Sequence, residues 1–451
     1  MIKRAALFAA LLAVPLAAEE PLGTHPSDQV SPDRLRADVE TLVAFGTRHT
    51  LSSQDDPARG IGAAVNWGLD EFRRIGARCG DCLEVLPVGE VITAAPRVPD
   101  PTLVRNAVAI QRGTERPDEV VIVQGHIDSR ASDVMDFTSD APGANDDGSG
   151  TALVLEAARV LSAGQYPTTI IYALLSGEEQ GLHGGRILAD WAKARGFTIK
   201  AVLNNDIVGN SCGSDGYCEP EIVRVFSEGP RADLTDQLRA SQRRFGGEND
   251  SPARNLSRWI AAVAQDTGDD FAVRQIWRTD RMGRGGDQIP FLDKGYPAIR
   301  FSVGVEDYDH QHQDVRTENG TSYGDTIDKM DFDYLAKVTS LNVRVLDGLA
   351  QAPLPPGVAV DAAVRTDTEV SFDLVPGANR YVVVRRRTDE PGWDVTSASF
   401  LEPSATTGRQ VIIFNNLRGD DWLFGVAACN GQYCSPVASG VPAGDFAPVA
   451  E

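Results

Sequence analysis

The feature that most constrains the fold is an alternation between residues 83 and 203. Short, continuously apolar runs are separated by longer helical ones. Residues 106–110 form one such run, Val120-Val121-Ile122-Val123 a second, and Thr168-Thr169-Ile170-Ile171-Tyr172-Ala173-Leu174-Leu175 a third. Ala201-Val202-Leu203 continues the series. Strands without polar alternation are covered on both faces, as in a largely parallel sheet. Residues 149–162 read as a helix that is apolar almost all round and therefore buried. The pattern predicts an α/β fold: a doubly wound, mostly parallel sheet with helices on both faces. Such sheets hold ligands at the carboxyl ends of their strands.

Other elements extend this frame. Ser31 and Pro32 make an N-cap and first helical position for a helix over 32–45. A second amphipathic helix covers 60–77. Residues 210–287 are less regular, with a strand over 222–226 and helices near Leu234 and Trp259, and are expected to build walls of a site. Residues 297–301 return to the sheet, and 331–350 form a closing helix. Prolines and a glycine make 351–357 a linker. Beyond it, short alternating strands over 358–445 predict a β-sandwich.

The chain has 451 residues, too many for one ordinary domain. Its net charge of −21 argues against nucleic acid or an anionic membrane as partner. Lys3 and Arg4 precede an apolar run and small residues, so 1–18 read as a signal peptide cleaved after Ala18. Residues 19–30 then form a poorly ordered lead-in or pro-segment. The apolar run is too short for a permanent anchor, so a secreted or periplasmic protein is expected. The six cysteines form three close pairs, Cys79 with Cys82, Cys212 with Cys218 and Cys429 with Cys434. With an export signal, structural disulfides are the favoured reading.

The chemistry sits where strands end. Glu178-Glu179 follows the run over 168–175. His126-Ile127-Asp128 follows 120–123, and Asn145-Asp146-Asp147-Gly148-Ser149-Gly150 precedes the buried helix. Asn205-Asp206 ends 201–203, and His310-Gln311-His312-Gln313-Asp314 follows 299–303. One His-x-Asp is a weak signal. Several strand ends that deliver His, Asp, Glu, Asp and His to one edge are a strong one. Carboxylate and imidazole together suit zinc, which leaves every cysteine free for disulfides.

In this order the motifs resemble the secreted two-zinc aminopeptidases of bacterial leucyl-aminopeptidase type, over residues 31–350. The resemblance implies a zinc-exopeptidase fold and two Zn2+ ions bridged by Asp146. His126 and Asp206 would complete one site, and Glu179 with a late histidine the other. It also implies Glu178 as general base and Asp128 as the residue that orients His126. The bond between Asp146 and Asp147 resembles the family's cis peptide. For the late histidine, the four-residue spacing to Asp314 favours His310, and the Gln-His pair with its spacing from Tyr308 favours His312. The substrates implied are peptide or protein N-termini, and a monomer is expected. The C-terminal region resembles a fibronectin type III module through Val375-Pro376-Gly377-Ala378, Tyr381 and Phe424-x-Val426-x-Ala428. It departs from that pattern at Phe372 and Phe424.

Alternatives keep the fold and change the activity, to a carboxypeptidase or a glutaminyl cyclase, or keep it as a non-catalytic binding protein. His25, His49 and His183 read as structural. Asp287, near Gly285-Gly286, is read as an N-cap of the next helix rather than a substrate contact.

Overall fold

The computed structural model describes residues 25–449 apart from residues 269, 404 and 406. The expected signal peptide lies outside the described residues. Residues 25–30, expected to be poorly ordered, are instead pinned to the body. A 3-10 turn at Pro26–Gln29 packs on the closing helix, with Asp28 paired to Arg344 (3.3 Å) and His25 3.6 Å from Asp347.

An eight-stranded sheet organises the larger part of the chain. Its strands are β1 (Leu83–Ile92), β2 (Thr102–Gln111), β3 (Arg116–His126), β4 (Thr168–Leu175), β5 (Thr198–Asn205), β6 (Ile222–Phe226), β7 (Ala272–Ile276) and β8 (Ala298–Val303). Their order is β1-β2-β4-β3-β5-β8-β6-β7. The central strands β4, β3, β5 and β8 are parallel, while β1, β2 and β6 join antiparallel. The sheet is therefore mixed, with a parallel centre. Every residue of β4 and β8 is buried, which is why their sequences lack polar alternation, whereas the edge strand β1 is half exposed.

Helices cover both faces. α1 (Pro32–Ala44), α2 (Ile61–Arg78) and α3 (Gly148–Leu161) lie on one side, and α4 (His183–Ala194) on the other. Neighbouring residues of β2 show the division. Ala107 abuts Gly68 of α2, while the Asn106 side chain donates to the Gly184 carbonyl of α4 (2.9 Å). Next come α5 (Asp236–Phe245), α6 (Pro252–Asp266), the short α7 (Ile289–Leu292) and α8 (Phe332–Gln351). α3 packs on β3 and β4 and against α1, α2 and α8, so all of it except Arg159 is buried. Its first turn nearly touches the end of β3: a Cβ on Gly125 would lie 2.7 Å from the Gly150 carbonyl carbon. Lys200 of β5 is buried and donates to the Leu349 and Ala352 carbonyls (2.7 and 2.5 Å), which satisfies the last turn of α8.

The helix after β4 begins only at His183. Gly177, Gly181 and Leu182 have φ of 80°, 125° and 57°, so the chain turns in the left-handed region before it can wind as a helix.

A hairpin of β9 (Arg316–Glu318) and β10 (Thr321–Tyr323) follows the main sheet. The C-terminal region forms two antiparallel sheets. One holds β11 (Val358–Asp361), β12 (Thr368–Asp373) and β15 (Arg409–Phe414). The other holds β13 (Arg380–Arg387), β14 (Asp394–Leu401), β16 (Trp422–Asn430), β17 (Tyr433–Cys434) and β18 (Ala438–Ser439). Phe372, Tyr381, Val383, Phe424 and Val426 form their shared core, and Tyr381 Oη accepts from the Val375 N–H (2.7 Å). All three expected disulfides are present. Among the described residues no helix is long and apolar enough to cross a membrane.

The two regions are joined by polar contacts. Asp250, fully buried before α6, accepts from Arg258 (3.0 Å), from Arg386 of β13 (2.5 Å) and from Ser439 of β18 (3.0 Å). Around it, Trp393 donates to Asn255 (3.0 Å) and Trp259 to the Cys434 carbonyl (3.1 Å). Removing one partner of such a buried pair leaves an uncompensated charge. Asp250→Ala is expected to cost about 3–5 kcal/mol in urea unfolding. A loss below about 1 kcal/mol would show that solvent replaces these contacts.

Candidate metal centre

The four parallel strands deliver their side chains to one edge. His126 is the last residue of β3. Asp146 precedes α3, Glu178 and Glu179 follow β4, and Asp206 follows β5. His312 comes from the loop after β8. Strand β3 lies between β4 and β5, so the chain leaves it on both sides and opens a crevice at its carboxyl end.

Within this crevice His126 Nε2 lies 3.1 Å from Asp146 Oδ1 and 3.9 Å from Asp206 Oδ1. His312 Nε2 lies 2.8 Å from Asp146 Oδ2 and 2.9 Å from Glu179 Oε1. Among the described residues three donor groups result, with the donor atoms of each within 4.8 Å of one another: His126/Glu178/Glu179, and two that share Asp146, His126/Asp146/Asp206 and Asp146/Glu179/His312. Asp146 belongs to both, with one oxygen towards each imidazole. The carboxylates of Asp146, Glu179 and Asp206 are buried, and Glu179 Oε1 makes no hydrogen bond. Converging nitrogen and oxygen donors with an unsatisfied buried oxygen fit zinc.

The structure separates the two late histidines. His312 meets the carboxylates, with its own backbone in the left-handed region (φ 55°). His310 pairs with Asp307 and lines a separate hollow with Asn145, Asp325 and Lys329.

Asp128 holds the centre from behind. It is fully buried and accepts from the N–H groups of Glu178 and Glu179 (both 3.2 Å) and from Thr50 Oγ1 (2.9 Å). Its carboxylate is 3.6 Å from His126 Nδ1, and its carbonyl oxygen is 3.1 Å from the same nitrogen. One side chain thus fixes both the β3 histidine and the turn that carries the two glutamates. Asp147 ties the neighbouring loops. It caps α3 through Gly150 N–H (2.9 Å) and accepts from His126 N–H (2.9 Å). The peptide between Asp146 and Asp147 is cis.

Several residues that position the site were not found from the sequence. Asp325 accepts from the N–H groups of Asn145 and Asp146 (2.9 and 2.7 Å). Arg48 donates to the carbonyls of Ile127, Pro142 and Gly143 (2.7, 2.5 and 2.9 Å) and so clamps that loop to the strand end. Arg300 of β8 pairs with Asp206 (2.7 Å) and Asp280 (3.2 Å), and Gln311 donates to Asp146 (3.1 Å). The signal for Arg300 was a charged residue inside an otherwise apolar central strand. Asp287 does not cap its own helix. Gln288 holds the N-cap position of α7, and buried Asp287 accepts from Gly185 N–H of α4 (3.1 Å). The opening turn of α4 offers N–H groups that need an acceptor, whereas the first N–H groups of α7 already donate to the Gly286 and Gln288 carbonyls.

The electrostatics call for a cation. Burial opposes charge on His126, but the Asp128 and Asp146 carboxylates outweigh it and hold its pKa well above the usual value. Burial likewise opposes charge on His312, yet Glu179 and Asp146 raise it to about 10. Burial lifts the Glu178 carboxyl well above its ordinary range; Glu179, Asp206 and Asp287 add to this against the pull of His126. Asp128 is held below the usual range, because His126, Thr50 and the Glu179 N–H overcome its burial. The centre opens on a cleft of about 470 Å³.

Comparison with known proteins agrees with this arrangement. The model for peptidase family M28 matches residues 106–344, which contain every donor named above. A probable zinc metalloprotease of Leptosphaeria maculans is 42% identical over 401 residues, covering 88% of this chain and 92% of that protein. One from Pyricularia oryzae is 42% identical and covers 92% and 83%. Among solved structures, the LapA aminopeptidase of Legionella pneumophila has a TM-score of 0.50 at 18% identity, covering 72% of this chain and 74% of that one. Porphyromonas gingivalis glutaminyl cyclase has a TM-score of 0.50 at 18% identity, covering 70% and 98%. The sequence likeness is to fungal proteins; the likeness to the bacterial structures is one of fold.

A zinc ion held by His126 and His312 would have to displace the protons on these imidazoles. On that assignment, loading chelator-treated protein at neutral pH is expected to release protons. Affinity should rise with pH until the His312 value of about 10 is passed. Calorimetry in buffers of different ionisation enthalpy measures this. Binding without proton release would contradict the assignment of His126 and His312.

Proposed function

The chain belongs to peptidase family M28 and is a zinc metallopeptidase, and from that premise we propose that it removes residues from free peptide N-termini with two zinc ions. The observation that carries this reading is the pair of donor groups sharing Asp146. His126 and Asp206 would hold one ion, Glu179 and His312 the other, and Asp146 both. Bound zinc supplies a Lewis acid for the scissile carbonyl and brings the pKa of water towards neutrality.

The chain's own residues do the rest. Glu178 follows the same strand as Glu179; it belongs to neither Asp146-sharing group, although it makes a third with His126 and Glu179, and its carboxylate would take the proton of the attacking water. It then returns that proton to the departing amine. Asp128 keeps the His126 ring oriented and anchors the backbone of Glu178, so base and ligand keep their relative places. Arg300 holds Asp206 from the β8 side.

The same reading takes residues 31–350 as the peptidase domain and 358–445 as a fibronectin type III-like module joined by 351–357. Three disulfides support an oxidising, extracytoplasmic compartment, in keeping with the signal-peptide reading of residues 1–18.

Paired peptides with free and acetylated N-termini test the activity. Only the free peptides should be shortened, and a peptide starting with glutamine should lose that residue rather than cyclise. Equal cleavage of both members of a pair would overturn the aminopeptidase reading; cyclisation would move the chain to glutaminyl cyclase chemistry. Glu178→Gln is expected to lower kcat by about 10²–10⁴-fold. Its zinc content, read by atomic absorption, should stay at the wild-type level. Loss of zinc would make Glu178 a ligand instead.

A further inference from the structure

The cleft above the metal centre has an unusual charge lining. Apart from the donor residues and Glu178, every charged side chain on its walls is an arginine: Arg97, Arg130, Arg281 and Arg284. This occurs in a chain with 64 acidic and 43 basic residues, where a random wall would be acidic. The four are arranged as two pairs. Arg97 donates to the Glu179 carbonyl (2.8 Å), and Arg130 lies 3.9 Å from the Glu179 carboxylate. Arg281 and Arg284 sit across the cleft on the glycine-rich loop before α7.

On that second wall an alternating string of charges runs out from the centre. Asp206 pairs with Arg300 (2.7 Å), Arg300 with Asp280 (3.2 Å), and Asp280 with Arg281 (3.1 Å). Arg281 reaches Glu306 (3.2 Å), and Glu306 holds Arg284 (2.6 Å). Glu306 is already paired with Arg224 (2.7 Å). Four guanidiniums therefore share three carboxylates, and only two when Asp206 serves the metal. Arg281 has all its nitrogens engaged, on Asp280, Glu306 and the Gly285 carbonyl. Arg284 differs. One terminal nitrogen is on Glu306, its side chain is 30% exposed, and it ends the string inside the cleft. A guanidinium fork held at one end and open at the other is suited to grip a carboxylate.

We propose that Arg284 binds a carboxylate of the substrate, so that the cleft selects peptides with an acid group close to the scissile bond. The inference rests on the peptidase reading of the metal centre. Two sources offer this chemistry: the side chain of an aspartate or glutamate, and the C-terminal carboxylate of a dipeptide.

Isosteric pairs separate them. The pairs are Glu-Ala-Ala-amide with Gln-Ala-Ala-amide, Leu-Glu-Ala-amide with Leu-Gln-Ala-amide, and Leu-Ala acid with Leu-Ala-amide. Each is measured as kcat/KM on the zinc-loaded enzyme and as Kd on zinc-loaded Glu178→Gln, with and without Arg284→Gln. The acid member of at least one pair should be favoured about tenfold or more. That pair identifies the source. Arg284→Gln should bring the ratio to near one, Arg284→Lys should restore part of it, and added salt should weaken it. A merely structural role, bracing Glu306, would weaken both members alike and leave the ratio unchanged. Ratios near one in every pair, or a ratio that Arg284→Gln does not move, would overturn the proposal. If Arg284→Gln does not fold, a preference that neither Arg284→Lys nor high salt diminishes overturns it. An acid preference in binding without any hydrolysis would sink the aminopeptidase reading and leave this one standing; hydrolysis of all peptides at equal rates would do the reverse.

Discussion

Too many carboxylates converge on one edge of the sheet for the protein alone to neutralise, and the surrounding structure follows from that. Asp146, Glu179 and Asp206 are buried within reach of two imidazoles, with Glu178 beside them and Asp128, Asp147, Asp287 and Asp325 behind. Buried charges of one sign persist only when hydrogen bonds or cations compensate them. Those behind accept chiefly from backbone N–H groups: Glu178 and Glu179 on Asp128, His126 and Gly150 on Asp147, Asn145 and Asp146 on Asp325, and Gly185 on one oxygen of Asp287, whose other oxygen has no partner. The front row is left with donors that face one another, which is the state a divalent cation relieves. The turns that carry these residues are shaped by the same need. The left-handed residues around Glu178 and Glu179 let two successive N–H groups point at one carboxylate.

A sheet with a parallel centre is what makes such a convergence possible. Strands β4, β3, β5 and β8 end side by side, so residues far apart in the chain meet without long excursions. Their apolar flanks are buried on both faces, and this rigid floor holds donor atoms to within a few ångströms. The β-sandwich is packed against the same body. Asp250 draws guanidiniums from α6 and β13 onto one carboxylate, so the two regions are coupled through a buried charge cluster rather than merely tethered by residues 351–357.

Much of this was legible along the chain because periodicity and burial are local properties. Continuous apolar runs marked the central strands, the all-apolar helix marked α3, and acids and histidines placed directly after strand runs marked the edge. The less legible parts depend on partners distant in sequence. Arg300 is a charged residue in a buried strand, and nothing along the chain marks Asp206 and Asp280 as its partners. Asp287 carried a capping signal, but the helix it caps lies about a hundred residues earlier, at Gly185. Residues 25–30 look like a loose polar lead-in, and only α8 gives them something to pack on. Arg48 has no motif at all, because its role is to donate to main-chain oxygens.

By itself, the sequence determined the class of fold, the edge at which acids and histidines gather and the residue types found there. Strand hydrophobicity and the positions of acids after strands depend on the order of residues alone. Only the tertiary structure decided which histidine meets the carboxylates. His310 and His312 are two residues apart in one polar loop, and the backbone there, left-handed at His312, carries one to Asp146 and Glu179 and the other to Asp307. It also decided what surrounds the centre. A line of arginines and acids that alternate in space but not in sequence forms only when β8, the loop before α7 and the end of β5 are brought together, since charge balance is a property of distance rather than of order.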